Sequence, residues 1–189
     1  MGQMTRELEV FTYEDYLHLP DDGKRYQIIE GEVCMSPAPV PYHQEILFGL
    51  AQLVRNFVEE GDLGKVFIAP CDVILSNENV VQPDIFFVSK DRLHIITDKN
   101  IQGAPDLAVE IVSPHSLKID KLLKRNLYAK YGVREYWLVD GEKREVEVMA
   151  TRGKTYRIKG KYKKGDILES GLLEGLKIDL EMVFVEEVR

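Results

Sequence analysis

Hydrophobic positions recur along this chain with two different periods, and the switches between them mark its elements. Ile46, Leu47, Leu50, Ala51, Leu53, Val54, Phe57 and Val58 repeat at helical spacing, which predicts a long helix beginning near Pro41 and closed by Gly61 and Gly64. Ser36-Pro37-Ala38-Pro39 breaks regular structure just before it. Further upstream, Thr12-Tyr13-Glu14-Asp15 reads as an N-cap followed by acidic first-turn residues, opening a short helix that ends near Pro20. Asp21-Asp22-Gly23 is a turn signal, and Tyr26 to Met35 reads as a strand that Gly31 bends into a hairpin.

After the long helix the period shortens. Val66 to Ala69, Asp72 to Leu75 and Val80 to Val88 read as strands, with Asn77-Glu78-Asn79 as the turn between the last two. Asp91 to Gly103 holds one helical turn and loop. Asp106 to Val112 is a strand, and Leu117 to Tyr131 a helix ended by Gly132. Glu135 to Val139 and Val146 to Met149 are two more strands, joined through Asp140-Gly141, and from Thr151 onward the pattern is short strands and turns. The order helix, strands, helix, strands describes one mixed α/β (α+β) domain built on a central sheet.

Composition narrows the class. A chain of 189 residues can bury one sizeable core but not two. It has no apolar run of about twenty residues, and Met1 to Val10 is polar and charged, unlike a secretory signal. Cys34 and Cys71 imply no disulfide framework, and no CxxC or HExxH is present. These features point to a cytoplasmic protein with two reduced thiols and no membrane partner. The net charge of −7 counts against a nucleic-acid binder, since phosphate contacts need clustered Lys and Arg, although a local basic face is compatible with it.

Three charged residues carry the chemistry. Asp84, in Gln82-Pro83-Asp84-Ile85-Phe86-Phe87-Val88, precedes an apolar run, where a sheet edge opens into a cleft. Pro83 cannot donate a ladder hydrogen bond. Taken alone, that position favours a plain turn carboxylate. In Asp106 to Val112 the alternation puts Asp106, Ala108, Glu110 and Val112 on one face and Leu107, Val109 and Ile111 on the other. A Glu in the middle of such a strand needs a cation, a hydrogen-bonding network or a proton, and a structural ion pair meets that need as well as a functional site does. On the following helix, Ile119, Leu122, Leu123, Leu127 and Tyr131 form the apolar arc at about 100° per residue. Asp120, Lys124 and Tyr128 line its border, so Lys124 can aim at the strand carrying Glu110, or can simply pair with Asp120 at i,i+4. Together, two carboxylates on neighbouring strands and a nearby lysine form a set that holds Mg²⁺ or Mn²⁺ through oxygen ligands. Such a metal acidifies a water, and the lysine stabilises developing negative charge.

At this point the residues resemble the PD-(D/E)XK nuclease superfamily, and within it the Uma-two family of restriction-endonuclease-like proteins. The likeness runs through Phe11-Thr12-Tyr13-Glu14-Asp15-Tyr16-Leu17, Arg25-Tyr26-Gln27-Ile28-Ile29-Glu30-Gly31-Glu32, Pro39-Val40-Pro41-Tyr42-His43 and Val81-Gln82-Pro83-Asp84. It continues in Pro105-Asp106-Leu107-Ala108-Val109-Glu110-Ile111-Val112-Ser113-Pro114, in Asp120, Lys124 and Tyr128, and in Tyr131-Gly132-Val133-Arg134-Glu135-Tyr136-Trp137-Leu138-Val139-Asp140. The resemblance implies a restriction-endonuclease-like fold, a central mixed β-sheet flanked by helices. It divides the single domain into an N-terminal helix and hairpin (1–35), a catalytic core (36–140) and a β-rich C-terminal extension (141–189). It implies that Asp84 is the acid of the PD half-motif and Glu110 the (D/E). The superfamily lysine would stand where this chain has Val112, and Lys124 on the next helix takes that place.

The implied activity is metal-dependent hydrolysis of DNA phosphodiester bonds, by in-line attack of a metal-activated water. Asp84, Glu110 and the main-chain carbonyl of Ile111 would hold the Mg²⁺ (or Mn²⁺). Glu30, His43, Asp120 and Tyr128 stand as accessory residues, with a hairpin-turn carboxylate and an ordinary helix histidine as equal readings of the first two. Gln27, where many relatives carry Glu, has no catalytic role assigned. A homodimer follows by analogy with nucleases that cut two strands. The rival reading is an inactive nuclease-like fold serving as a binding or regulatory module, which fits the acidic balance and the displaced lysine.

The remaining candidates read as structural. His18, His94 and His115 share no metal-ligand spacing, and Trp137 is a core residue among strand hydrophobes. Lys159, Lys161, Lys163 and Lys164 with Tyr156 and Tyr162 form a solvated hairpin face, and Ser113 and Cys71 have no base arranged beside them. The apolar tail Leu172 to Val188 either completes the core or makes an interface.

Overall fold

The computed structural model describes residues 10–36, 38–112 and 119–185. Thr12 caps a first helical turn, α1 (Tyr13–Tyr16), through a reciprocal box with Asp15. The hairpin β1 (Arg25–Ile29) and β2 (Glu32–Ser36) follows, closed by a two-residue loop in which Glu30 and Gly31 both have positive φ, 51° and 78°. Helix α2 (Pro41–Glu60) starts with proline in its first turn and buries Ile46, Leu47, Leu50, Val54 and Val58, the stripe its periodicity predicts.

Strands β3 (Gly64–Ile68), β4 (Val73–Ser76), β5 (Asn79–Val81) and β6 (Ile85–Ser89) come next. A 3₁₀ turn at Lys90–Ile95, the short β7 (Ile101–Gln102) and β8 (Leu107–Val112) follow. A π turn (Ile119–Lys124) leads into α3 (Arg125–Tyr131), which ends on Gly132 at φ 88°, the left-handed conformation that suits glycine. The chain closes with β9 (Glu135–Asp140), β10 (Glu145–Arg152), β11 (Thr155–Lys163), β12 (Ile167–Glu169) and β13 (Lys177–Asp179).

The central sheet has six strands in the order β11-β10-β9-β8-β6-β3, antiparallel except for the β8–β9 pair. The mixed α/β fold expected from the sequence is therefore present. A second sheet, β2-β1-β5-β4-β7, lies apart in the hydrogen-bonding order, and β12-β13 form a small ribbon. Strict alternation assigns each face of the central sheet to its own core. Ile85, Phe87, Leu107, Val109, Ile111, Trp137 and Val139 pack with α2 and the C-terminal Leu173, Leu176, Ile178, Leu180, Val183 and Phe184. Phe86, Val88, Ala108, Val112, Tyr136 and Leu138 pack with Leu127 and Tyr128 of α3 and with Ile29, Val73 and Val81 of the second sheet. The described part of the apolar tail thus completes a core.

Two expectations need correcting. The apolar run Val80 to Val88 is not one strand: Gln82-Pro83-Asp84 carries the chain from β5 in one sheet to β6 in the other, because Pro83 has no N–H to continue a ladder. The second concerns the helix drawn from Leu117. Its start lies outside the described residues, and its first part is a π turn whose wider winding abandons the 100° spacing. Leu122 and Leu123, placed on the apolar arc by that spacing, are exposed, and Lys124 is buried instead.

Candidate active site

The site forms where β6 begins. β6 and β8 pair with Ile85 opposite Val109 and Phe86 opposite Ala108, so continuing the register by one residue sets Asp84 across from Glu110, on the same face. The pairing stops there because the chain has just crossed from the second sheet. Beyond that point Ile111 has no partner in β6, and its N–H donates instead to Oδ2 of Asp84 at 2.8 Å. In an extended strand the C=O of a residue points to the same side as its N–H, so the Ile111 carbonyl lies on the Asp84 edge of β8.

Glu110 is held from α3 and the π turn. Lys124 Nζ donates to its Oε2 at 2.8 Å, and the Tyr128 hydroxyl to its Oε1 at 2.6 Å. All three residues are buried. The tertiary structure thus supplies Lys124 with a partner in Glu110. The side chain of Asp120, the rival partner, lies outside the described residues.

Two nitrogen-bearing side chains from outside the central sheet flank Asp84. His43 Nε2, on the first turn of α2, lies 3.4 Å from its Oδ2, and an Arg25 guanidinium nitrogen at the head of β1 lies 3.9 Å from its Oδ1. Burial pushes the Asp84 carboxyl up, but the His43 hydrogen bond and charge, the Lys124 ammonium and the Ile111 N–H outweigh it and hold the group below the usual carboxylate range. Asp84 is therefore an anion at neutral pH.

The remaining sequence candidates separate clearly. Glu30 sits exposed at the hairpin tip, with its carboxylate 3.9 Å from Lys130 and its N–H donating to Asn79. Gln27 is buried and structural: its Oε1 accepts from Gln82 N at 3.1 Å and its Nε2 donates to Ser36 at 3.0 Å, which steadies the crossover that delivers Asp84. His18 bonds its own helix at Glu14 and His94 is exposed; His115 and Ser113 lie outside the described residues. Trp137 is fully buried, and Lys161 pairs with Glu147 on the hairpin face. Burial pushes both Cys34 and Cys71 thiols up, Cys34 with Glu32 adding and Lys124 opposing, so neither is a ready nucleophile. Arg25 was missed by the sequence reading, where only its place at the head of a predicted strand marked it.

The donor chemistry suits a hard divalent cation. Asp84 Oδ1 accepts no hydrogen bond among the described residues, and two carboxylates with a main-chain carbonyl are the oxygen donors Mg²⁺ takes before water and phosphate complete its shell. No group of three or more His, Cys, Asp or Glu side chains arranged for a metal occurs among the described residues, so solvent or substrate would have to supply the other ligands.

With this geometry in place, comparison with known proteins decides the family. The sequence profile of the Uma2 family, described as "Putative restriction endonuclease", matches residues 13–181. The chain belongs to this family. The fold is similar to that of a putative nuclease belonging to DUF820 from Anabaena variabilis ATCC 29413, known from a crystal structure. That protein is 20% identical to this chain, with a TM-score of 0.74 over 92% of this chain and 97% of that one. No curated protein matches the sequence. Among the described residues of this Uma2 chain, no helix is long and apolar enough to cross a membrane.

Proposed function

We propose that this Uma2 protein is a metal-dependent endonuclease that hydrolyses DNA phosphodiester bonds. The observation that carries this reading is the cross-strand pair of buried carboxylates, Asp84 and Glu110, with Lys124 seated on the second. Asp84, Glu110 and the Ile111 carbonyl would hold Mg²⁺ or Mn²⁺. When bound, that ion supplies Lewis acidity to a water and to the phosphate. Asp84, already ionised, needs no proton loss before it can act as a ligand. Lys124 brings a positive charge into a dry site where charge develops on the phosphate oxygens, and such preorganised charge is worth more there than in water. Tyr128 fixes the rotamer of Glu110 through its hydroxyl. Cutting both strands of a duplex calls for two such sites, which supports a homodimer as the working assembly.

The test is cleavage of plasmid and single-stranded DNA with Mg²⁺ or Mn²⁺, comparing wild type with Glu110→Gln. Cleavage that depends on the metal and disappears in the variant is the expected result. The rival reading, an inactive binding module, is favoured by one feature: both Glu110 oxygens are already engaged, by Lys124 and Tyr128. Absence of cleavage on every substrate, together with no metal bound in a calorimetric titration, would establish that module instead.

A further inference from the structure

Arg25 stands three-quarters buried beside Asp84, with its side chain 27% exposed. Its guanidinium carries five N–H donors, yet no hydrogen bond to it is found among the described residues, and Nε is fully buried without a partner. A guanidinium placed only to neutralise a carboxylate closes to about 2.7–2.9 Å and shares two hydrogen bonds with it. Arg25 instead stops 3.9 Å from Asp84 Oδ1. On the other side of the same carboxylate, His43 Nδ1 is likewise buried and unpartnered. Donors left unsatisfied in a buried site are costly, and a planar fork of this kind is matched by the oxygens of a phosphate.

We propose that Arg25 binds the substrate itself, taking the non-bridging oxygens of a phosphodiester that lies against Asp84. The proposal deepens the phosphodiesterase reading above and rests on it for the identity of the ligand. Arg25 is then the group that confers a requirement for backbone charge, in a chain whose overall charge of −7 would otherwise repel nucleic acid.

The experiment measures fluorescence anisotropy of a labelled single-stranded oligonucleotide, and of the same oligonucleotide with uncharged methylphosphonate linkages. Ca²⁺ is present as the oxygen-bound cation, and the strand is checked for integrity. Wild type, Arg25→Ala and Arg25→Lys are compared, and their thermal unfolding is recorded. Arg25→Ala is expected to weaken binding of the charged strand by about tenfold or more, as loss of hydrogen bonds to a charged group predicts. Arg25→Lys, which keeps the charge but loses the fork, should fall between the two. Neither should change the affinity for the methylphosphonate strand, and unfolding temperatures should stay close to wild type.

Equal binding of the charged strand by wild type and Arg25→Ala overturns the assignment, even if plasmid cleavage proceeds normally. So does a loss that is the same for both backbones, which marks Arg25 as a support for Asp84. An Arg25-dependent preference for the charged strand without any cleavage sustains the Arg25 assignment while the nuclease reading fails. A wild type that binds neither strand overturns both.

Discussion

Lys124 Nζ lies 2.8 Å from Oε2 of Glu110, and neither side chain is more than 4% exposed. Removing one member of so deeply buried a pair withdraws a counter-charge that water cannot replace, typically at a cost of about 3–5 kcal/mol. Glu110→Ala is therefore expected to lose roughly 3 kcal/mol in urea unfolding at neutral pH. Glu110→Gln, which keeps an acceptor for Tyr128, should lose less. That difference makes glutamine the cleaner probe of activity. An alanine variant as stable as wild type would show that the pair is solvated.

Asp84 links stability to pH. Although burial raises its pKa, His43, Lys124 and the Ile111 N–H lower it further, so the folded value lies below the unfolded one. A group of this kind contributes stability that is fully present above its unfolded pKa of about 4 and is lost as pH falls through the folded value. As pH falls below about 4, wild type is expected to lose unfolding temperature more steeply than Asp84→Asn. At pH 7 the variant should be the less stable of the two. Parallel curves for the two proteins across that acid range would place the linkage on other carboxylates.

Two of the acids proposed by resemblance, Asp84 and Glu30, should behave oppositely in catalysis. Asp84→Asn is expected to reduce metal-dependent cleavage by about a thousandfold, the several kcal/mol a metal site contributes. Glu30→Ala should leave the rate close to wild type, because Glu30 is exposed at the hairpin tip beside Lys130. Initial rates of plasmid nicking compare them directly, and a Glu30→Ala variant as slow as Asp84→Asn would place the hairpin tip in the cleft.

Glu135 anchors the C-terminal segment to the central sheet. Its Oε1 accepts from Trp137 Nε1 at 2.8 Å and Ser170 Oγ at 2.6 Å, and its Oε2 accepts from the N–H groups of Gly171 at 2.9 Å and Leu172 at 3.0 Å. Glu135→Ala leaves these buried donors unmatched and is expected to cost about 3 kcal/mol. Emission of Trp137, the single tryptophan, should shift to the red as water enters. Unchanged emission with unchanged stability would mean that the segment docks through Leu173, Leu176 and Phe184 alone.

Local pattern determined a good deal of this protein. The stripe on α2, the alternation that puts Glu110 on one face of β8, the hairpin at Gly31 and the core position of Trp137 all depend on side-chain periodicity and turn chemistry. Those are properties of neighbouring residues, and so they can be read directly. The ordered segments from Phe11 to Asp140 likewise carried the family. What periodicity could not provide was anything that depends on where distant segments meet. The crossover at Gln82-Pro83-Asp84 looked like the interior of one strand, because apolar residues on both sides conceal a change of sheet. Lys124 is buried because a π turn departs from regular helical spacing. Arg25 and His43 reach Asp84 only once β1 and α2 have docked beside the start of β6. Pairings of that kind are set by register and packing between elements far apart in the chain, so the carboxylates were legible in the sequence while their surroundings were decided by the tertiary fold.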